Sequence, residues 1–384
     1  MKRSLSFADD PRGVGLVAAG TALIAGTYGL VRLSYGLFLS DIQVSLGLTS
    51  VLAGWVSSGA SVVYCIAALV GLVADRRPRL LVLAALGTAA LGAAGMALAP
   101  TAAAFVPAAI LSSAGAGFAS PALVGVVARG VPEPRRDRAQ AVVNSGTGPG
   151  LVAAGALALV LLPDWRLGFA IGAVLTAAAG VLVLVLYRSP PTDDGAADPG
   201  RWSWHGLAAL RAPAVGALLL GAASAAVWTY GRAHLVGEGL GTTASTVAWM
   251  ALGVGGTATA VTAGWQARQR PAQAWSLTSS GVGVTIAALS FGAGVLTVAT
   301  VACLFFGWAF VAATSALIAW AAELVPDRAA AGTATLFVTL TLGQAIGSAI
   351  TGTIADHGGL WLAFLAAAAL AGLAAVCGQV GVVR

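Results

Sequence analysis

Along most of this chain, long apolar runs alternate with short breaks that hold nearly all of the charges. A helix needs about 20 apolar residues to cross the hydrocarbon of a bilayer. Runs of that order lie at 14–39, 51–73, 80–99, 102–128, 139–162, 167–187, 212–234, 244–265, 272–292, 295–321, 331–354 and 359–381, and they predict twelve transmembrane helices. The ninth and tenth are divided only by a weak break near Gly292-Ala293-Gly294, so eleven is the alternative count. Between the sixth and seventh runs, residues 189–200 are rich in proline, glycine and aspartate and read as a flexible linker. The following Arg201-Trp202-Ser203-Trp204-His205-Gly206-Leu207 is expected to lie at the membrane surface, with its tryptophans at headgroup depth. The pattern thus divides the chain into a six-helix half (1–188), a linker with an interfacial segment (189–210) and a second six-helix half (211–384).

Weak internal repetition supports the division. Trp55 recurs as Trp249, Gly71 and Pro78 recur as Gly264 and Pro271, and Val131-Pro132-Glu133 is echoed by Val325-Pro326-Asp327. The second copy has Arg268 where the first has Asp75.

Composition points the same way, since 58% of residues are hydrophobic and 9% charged, against roughly a quarter charged in soluble domains. With twelve spans and both termini on one side, all of the 20 basic residues except Arg32, Arg166 and Arg232 fall on that side. By the positive-inside rule that side is cytoplasmic. The net charge of +6 is therefore topological, and the scatter of arginines over separate loops and tails gives no basic face for nucleic acid. The apolar run after Lys2 and Arg3 is too long for a signal peptide. One lysine among twenty basic residues, with abundant Ala and Gly, suggests a GC-rich genome and a bacterial plasma membrane.

Enzymatic chemistry finds little support. The three histidines, His205, His234 and His357, form no metal-binding spacing, and Cys65, Cys303 and Cys377 each fall within an apolar run. No catalytic residue, metal or cofactor is expected.

The break after the second run reads Gly71-Leu72-Val73-Ala74-Asp75-Arg76-Arg77-Pro78-Arg79. It resembles the G-x-L-A-D-R-x-G-R-R/K loop between the second and third helices of the major facilitator superfamily. Pro78 replaces the usual glycine and Leu80 a usual basic residue. The resemblance implies an all-α membrane fold of two pseudo-symmetric six-helix halves that work by alternating access. It further implies a conformational switch at Gly71, Asp75, Arg76, Arg79 and Arg129, with Asp75 facing the start of helix eleven near Pro326 to Ala331.

Arg32 is the foremost candidate for solute binding. A charge at mid-depth in a lipid-facing position costs several kcal/mol, at least about 2.5 on insertion scales, so an inward, paired position is expected. Its surroundings, Gly29-Leu30-Val31-Arg32-Leu33-Ser34-Tyr35, resemble a G-x-x-R-x-x-Y stretch in a poorly characterised bacterial branch of the superfamily. The competing role is structural, with the guanidinium pinning a helix end. Taking helix one to end near Asp41 places Arg32 in the outer half of the membrane. Arg232 follows a similar Thr229-Tyr230-Gly231 and is either a second anion-gripping arginine or an interface residue beside His234 and Glu238. Tyr28, Tyr35, Asn144, Trp228, Tyr230 and Gln344 are further candidates to line the cavity.

Acidic residues lie toward helix edges, which leaves Asp41, His234 and Glu238 as the candidates for proton coupling. Asn144-Ser145-Gly146-Thr147-Gly148-Pro149-Gly150 partly resembles the Gly-Pro segment of superfamily antiporters and favours export by antiport. The expected function is secondary transport of a small organic solute, anionic or amphipathic on account of Arg32, by a monomer in the lipid bilayer. Uptake, and a non-transporting sensor built on the same scaffold, are the alternatives.

Overall fold

A computed structural model describes residues 11–74, 77–188 and 208–380. These residues form helices and short connections, with eleven helices long and apolar enough to cross a membrane. They are α1 (Gly13–Leu46), α2 (Ser50–Val73), α3 (Pro78–Leu98), α4 (Ala102–Gly130), α5 (Arg138–Leu161), α6 (Trp165–Leu186), α7 (Ala208–Gly237), α8 (Thr242–Gln266), α9 (Pro271–Gly292), α10 (Leu296–Leu324) and a final helix, Ala331–Gln379. The linker, the tryptophan-rich interfacial segment, and Asp75 and Arg76 lie outside the described residues.

The weak point of the helix count falls elsewhere than expected. The chain separates cleanly at 292–296, whereas residues 329–380 form one continuous helix except at Gly359, whose φ of 80° and ψ of 163° are non-helical. Glycine adopts positive φ without the steric cost of a Cβ, so the chain turns there without a loop. The part before the break, α11 (331–358), packs along α7, with Gly343 and Gly347 against Leu218 and Ala222. The part after it, α12 (360–379), lies along α9, where the Trp275 indole donates to the Ala374 carbonyl at 2.9 Å.

Local chemistry explains most helix starts. Thr49, Thr101 and Asp164 cap α2, α4 and α6 by accepting from backbone N–H groups three residues on. Pro78 and Pro271 open α3 and α9, where the missing N–H has no intrahelical partner to lose. Pro78, unusual for the superfamily loop, is therefore a helix-start residue.

Helix α1 is longer and less regular than the sequence suggests. It runs past Asp41 to Leu46, and its centre, Ala25–Leu33, is π-helical. Arg32 thus lies 14 residues from the helix end, about 21 Å at 1.5 Å per residue. That lengthens the expected distance from Arg32 to the helix end, and it puts Asp41 within the helix instead of at its edge.

The two halves meet tightly at the end of the bundle that carries the α1–α2 turn, here the arginine-poor end. The middle of α7 from Gly221 to Val227 is wholly buried, and Gly36 of α1 sits so close to the Trp228 carbonyl that a Cβ would overlap it. Toward the opposite, arginine-rich end none of residues 256–271 in α8 and its following turn is buried.

Candidate functional site

A cavity of about 50 Å³ lies between the halves near mid-depth. At roughly 10–15 Å³ per water position, it holds a few waters or the body of a small solute. Its walls come from α1, α2, α3, α4, α7 and α11, and the charged residue among them is Arg32.

Arg32 sits on the last turn of the π-helical stretch, the type of helix irregularity that often marks functional positions. Its Nε donates to Ser113 Oγ of α4 at 3.0 Å, and its Nη2 to Gln344 Oε1 of α11 at 3.4 Å. The guanidinium carbon lies 4.5 Å from the centre of the Tyr64 ring of α2, a cation–π contact. No carboxylate pairs with it among the described residues. Its charge is thus held by neutral dipoles and one aromatic face, with N–H capacity to spare.

Behind Arg32, Tyr64 Oη is 2.9 Å from Tyr28 Oη, which is 2.8 Å from Ser120 Oγ. Tyr28 belongs to this supporting chain, while the cavity wall includes Tyr35, Trp228 and Gln344. Gln344, whose contact with Arg32 joins the two halves, also donates to Ser224 of α7 at 3.4 Å within the second half. On the arginine-poor side, Ser57 of α2 lies 2.8 Å from Thr229 and 3.0 Å from Ser348. This hydroxyl cluster joins α2, α7 and α11 across the two halves.

Arg232 occupies a different environment. It is 1% exposed, and its Nη1 lies 2.6 Å from Asp41 Oδ2, 2.8 Å from the Leu37 carbonyl and 3.0 Å from Ser40 Oγ. It therefore ties α7 to α1 above the cavity and does not line it. Tyr230 makes a parallel tie, donating to the Ser50 carbonyl at 2.8 Å. His234 meets the Leu289 carbonyl at 3.1 Å and packs on Phe364, within the second half. Glu238 caps the end of α7. Of the three residues considered for proton coupling, Asp41 bridges the halves.

Asn144 faces away from the cavity, accepting from Gln140 at 2.9 Å. Its segment nevertheless has a definite place: α5 is interrupted at Ser145-Gly146, and the small residues beyond it fit between two helices. A Cβ at Gly150 would lie 2.5 Å from the Ala25 carbonyl oxygen of α1, and one at Gly148 would strike Thr257 of α8. The segment packs on α1 of its own half and on α8 of the other, the close approach that small residues allow in membrane helices.

At the arginine-rich end, Gly71 packs on the ring of Pro121 in α4. Arg79 donates to the Leu184 carbonyl, and Arg129 to its own helix at Gly125, each at 3.4 Å. The repeat partner of Gly71, Gly264, has no neighbour within 4 Å, and Trp55 is 59% exposed whereas Trp249 is buried. The repeated residues share position without sharing surroundings.

Tyr64, Ser113, Ser57, Thr229 and Ser348 are the site-forming residues that sequence reasoning passed over. Their available signal was polarity inside otherwise apolar helices, a pattern shared with many hydroxyls that merely bond back to their own helix, such as Thr278.

Among solved structures, the nucleoside transporter NupG matches with a TM-score of 0.77 and 15% identity, over 98% of this chain and 100% of that one. A bacterial homologue of the human lysosomal transporter Spinster, in an inward-facing and unoccupied conformation, matches at 0.75 and 15% over 97% of each chain. A D-xylose–proton symporter matches at 0.74 and 16%, over 95% of this chain and 96% of that one. At these identities the likeness establishes the fold. A search of curated proteins finds no match. The family model described as Major Facilitator Superfamily matches residues 18–334, and the chain belongs to that superfamily of secondary transporters.

Proposed function

We propose that this protein carries a small organic anion across a bacterial plasma membrane by alternating access, with Arg32 as the cation that engages it. The observation that carries the reading is a guanidinium without a carboxylate partner in the wall of a cavity between the halves. Intramembrane charges that face a cavity mark solute paths as a rule. The tight approach of α1 to α7 at Gly36 and the unburied stretch 256–271 at the other end support a carrier open on the arginine-rich side.

The arginine-rich end is cytoplasmic in this proposal, so the conformation is inward-facing. A reporter fused at Gly195 is expected to read inside, and an outside reading would invert the orientation. Gly71, Asp75, Arg76, Arg79 and Arg129 form the switch at that end. Asp75→Asn is expected to slow turnover with the protein still folded, and unchanged turnover would reduce the loop to a topological signal.

Export by antiport is the proposed direction, on the partial resemblance of Asn144–Gly150 to the Gly-Pro segment of superfamily antiporters. The decisive experiment is flux of labelled anions, sugars, nucleosides and amino acids in liposomes containing the purified protein, with and without a pH gradient. Flux that Arg32→Ala abolishes supports the reading. A folded protein that moves none of them would favour the sensor alternative.

A further inference from the structure

The ties between the two halves at the arginine-poor end form a series along α7. Arg232 meets Asp41 of α1 at 2.6 Å, Tyr230 donates to the Ser50 carbonyl of α2 at 2.8 Å, and Thr229 lies 2.8 Å from Ser57 of α2. The first two ties are outside the cavity wall, whereas Ser57, Thr229 and Ser348 all belong to it. Backbone contact reinforces this innermost tie. A Cβ at Gly54, one turn before Ser57, would overlap the Ser348 carbonyl.

Counting protons gives the hydroxyl cluster a direction, because each hydroxyl has one proton to donate. Ser348 Oγ gives its own to the Gln344 carbonyl of the preceding turn at 2.8 Å. It therefore accepts from Ser57, 3.0 Å away, and Ser57, its proton used, accepts from Thr229. The chain of donors runs from Thr229 to Ser57 to Ser348, so it crosses between the halves twice, once into α2 and once out of it. Moving α2 away breaks both crossings at once. Thr229 then still has Ser348 of its own half at 3.4 Å, while Ser57 loses both of the hydrogen bonds its side chain makes.

We infer that the Ser57–Thr229–Ser348 cluster is the lock that keeps the empty carrier closed at the arginine-poor end, with Ser57 as the residue that completes it. This rests on the alternating-access reading above, and on neither Arg32 nor the charge of the solute. Two hydrogen bonds of ordinary net strength are enough to shift a two-state equilibrium about tenfold. Because the cluster is in the cavity wall, a solute group that bonds Ser57 competes with both crossings, whereas the Arg232–Asp41 pair lies beyond its reach. An empty carrier locked in this way reorients less often than a loaded one, which is the condition for exchange.

The test measures the distance between spin labels at Val44→Cys and Thr243→Cys, exposed positions on the two halves at this end, in the full chain in lipid nanodiscs without solute. Cys65, Cys303 and Cys377 are replaced by alanine so that the label reports these two sites. The parent protein is expected to populate chiefly the shorter distance, and Ser57→Ala to raise the ratio of open to closed carriers about tenfold. Thr229→Val removes one crossing from the other half and should raise the ratio less. Ser57→Ala/Thr229→Val should not exceed Ser57→Ala, since both crossings are already gone. Thr278→Val removes a hydroxyl that bonds only to its own helix and should leave the ratio unchanged.

A distribution in Ser57→Ala that matches the parent overturns the inference. So does a double variant whose shift is the product of the two single shifts, the behaviour of independent sites, or an equal shift in Thr278→Val. If the labels fail to respond while the liposome panel shows Arg32-dependent flux, the transport reading stands without the lock. A panel without flux overturns the transport reading by its own measurement, whatever the labels show.

Discussion

Arg32 and Arg232 enter the chain in similar settings, the first three residues beyond a Thr-Tyr-Gly and the second directly after one, each in the first helix of its half, and the fold uses them in opposite ways. Arg232 is buried against Asp41, Ser40 and the Leu37 carbonyl, so its charge is committed to holding α7 to α1. Arg32 touches a serine hydroxyl, a glutamine carbonyl and a tyrosine face, none of them charged. An intramembrane arginine is therefore classified by its partners. A neutralised arginine joins helices, whereas one held by neutral dipoles keeps attraction for an incoming anion.

The sharpest way to break this contrast is to unpair Arg232. Arg232→Ala leaves Asp41 facing a helix interface alone, and removing one member of a buried pair destabilises by about 3–5 kcal/mol. A large fall in melting temperature is expected, and much of it should return in Asp41→Leu/Arg232→Met, where no charge is left unpaired. A single mutant that melts like wild type would dissolve the distinction.

Next in size is Arg32→Ala, which should lower anion transport by about a hundredfold, or roughly 2.7 kcal/mol, with the melting temperature little changed. Arg32→Lys retains charge without the planar fork, so it should lose nearly as much activity as Ala. Full rescue by Lys together with instability of Ala would make Arg32 a structural residue like Arg232.

Gly36→Ala probes the joint that separates the two arginines. Its Cβ would overlap the Trp228 carbonyl oxygen, and overpacking of this kind costs about 1–3 kcal/mol. Because the clash exists only while α1 and α7 are closed together, the variant should make the arginine-poor end more reactive to added thiol probes at engineered cysteines. Unchanged labelling would place the movement elsewhere.

The smallest effect is expected from Tyr64→Phe. It keeps the ring under Arg32 and removes only the hydroxyl bonded to Tyr28, a loss of about 0.5–1.5 kcal/mol. Transport should fall less than tenfold. A hundredfold loss would show that the Tyr64–Tyr28–Ser120 chain positions the guanidinium, and the fork would then depend on its support as much as on its charge.

The membrane architecture was legible in the residues alone, because helix length and hydropathy answer to the bilayer, a solvent of fixed thickness. The long apolar runs needed no knowledge of partners. Arg32 was legible as a site candidate for the same reason, since a charge in an apolar run is expensive wherever it points. The shape of its helix was not legible, because Ala25–Leu33 leaves the ordinary helical repeat and α1 continues beyond Asp41. Nor was the helix break at Gly359, where one backbone conformation replaces a loop.

Which arginine meets Asp41 and which meets the cavity was settled by the packing of the helices. That choice depends on contacts separated by 191 residues for Arg232 and Asp41, and by 312 for Arg32 and Gln344. Packing likewise selected Tyr64, Ser113 and Ser57 from many polar residues that resemble them in sequence. Hydropathy reports how each residue interacts with its solvent, whereas a binding site consists of how residues from different helices interact with one another.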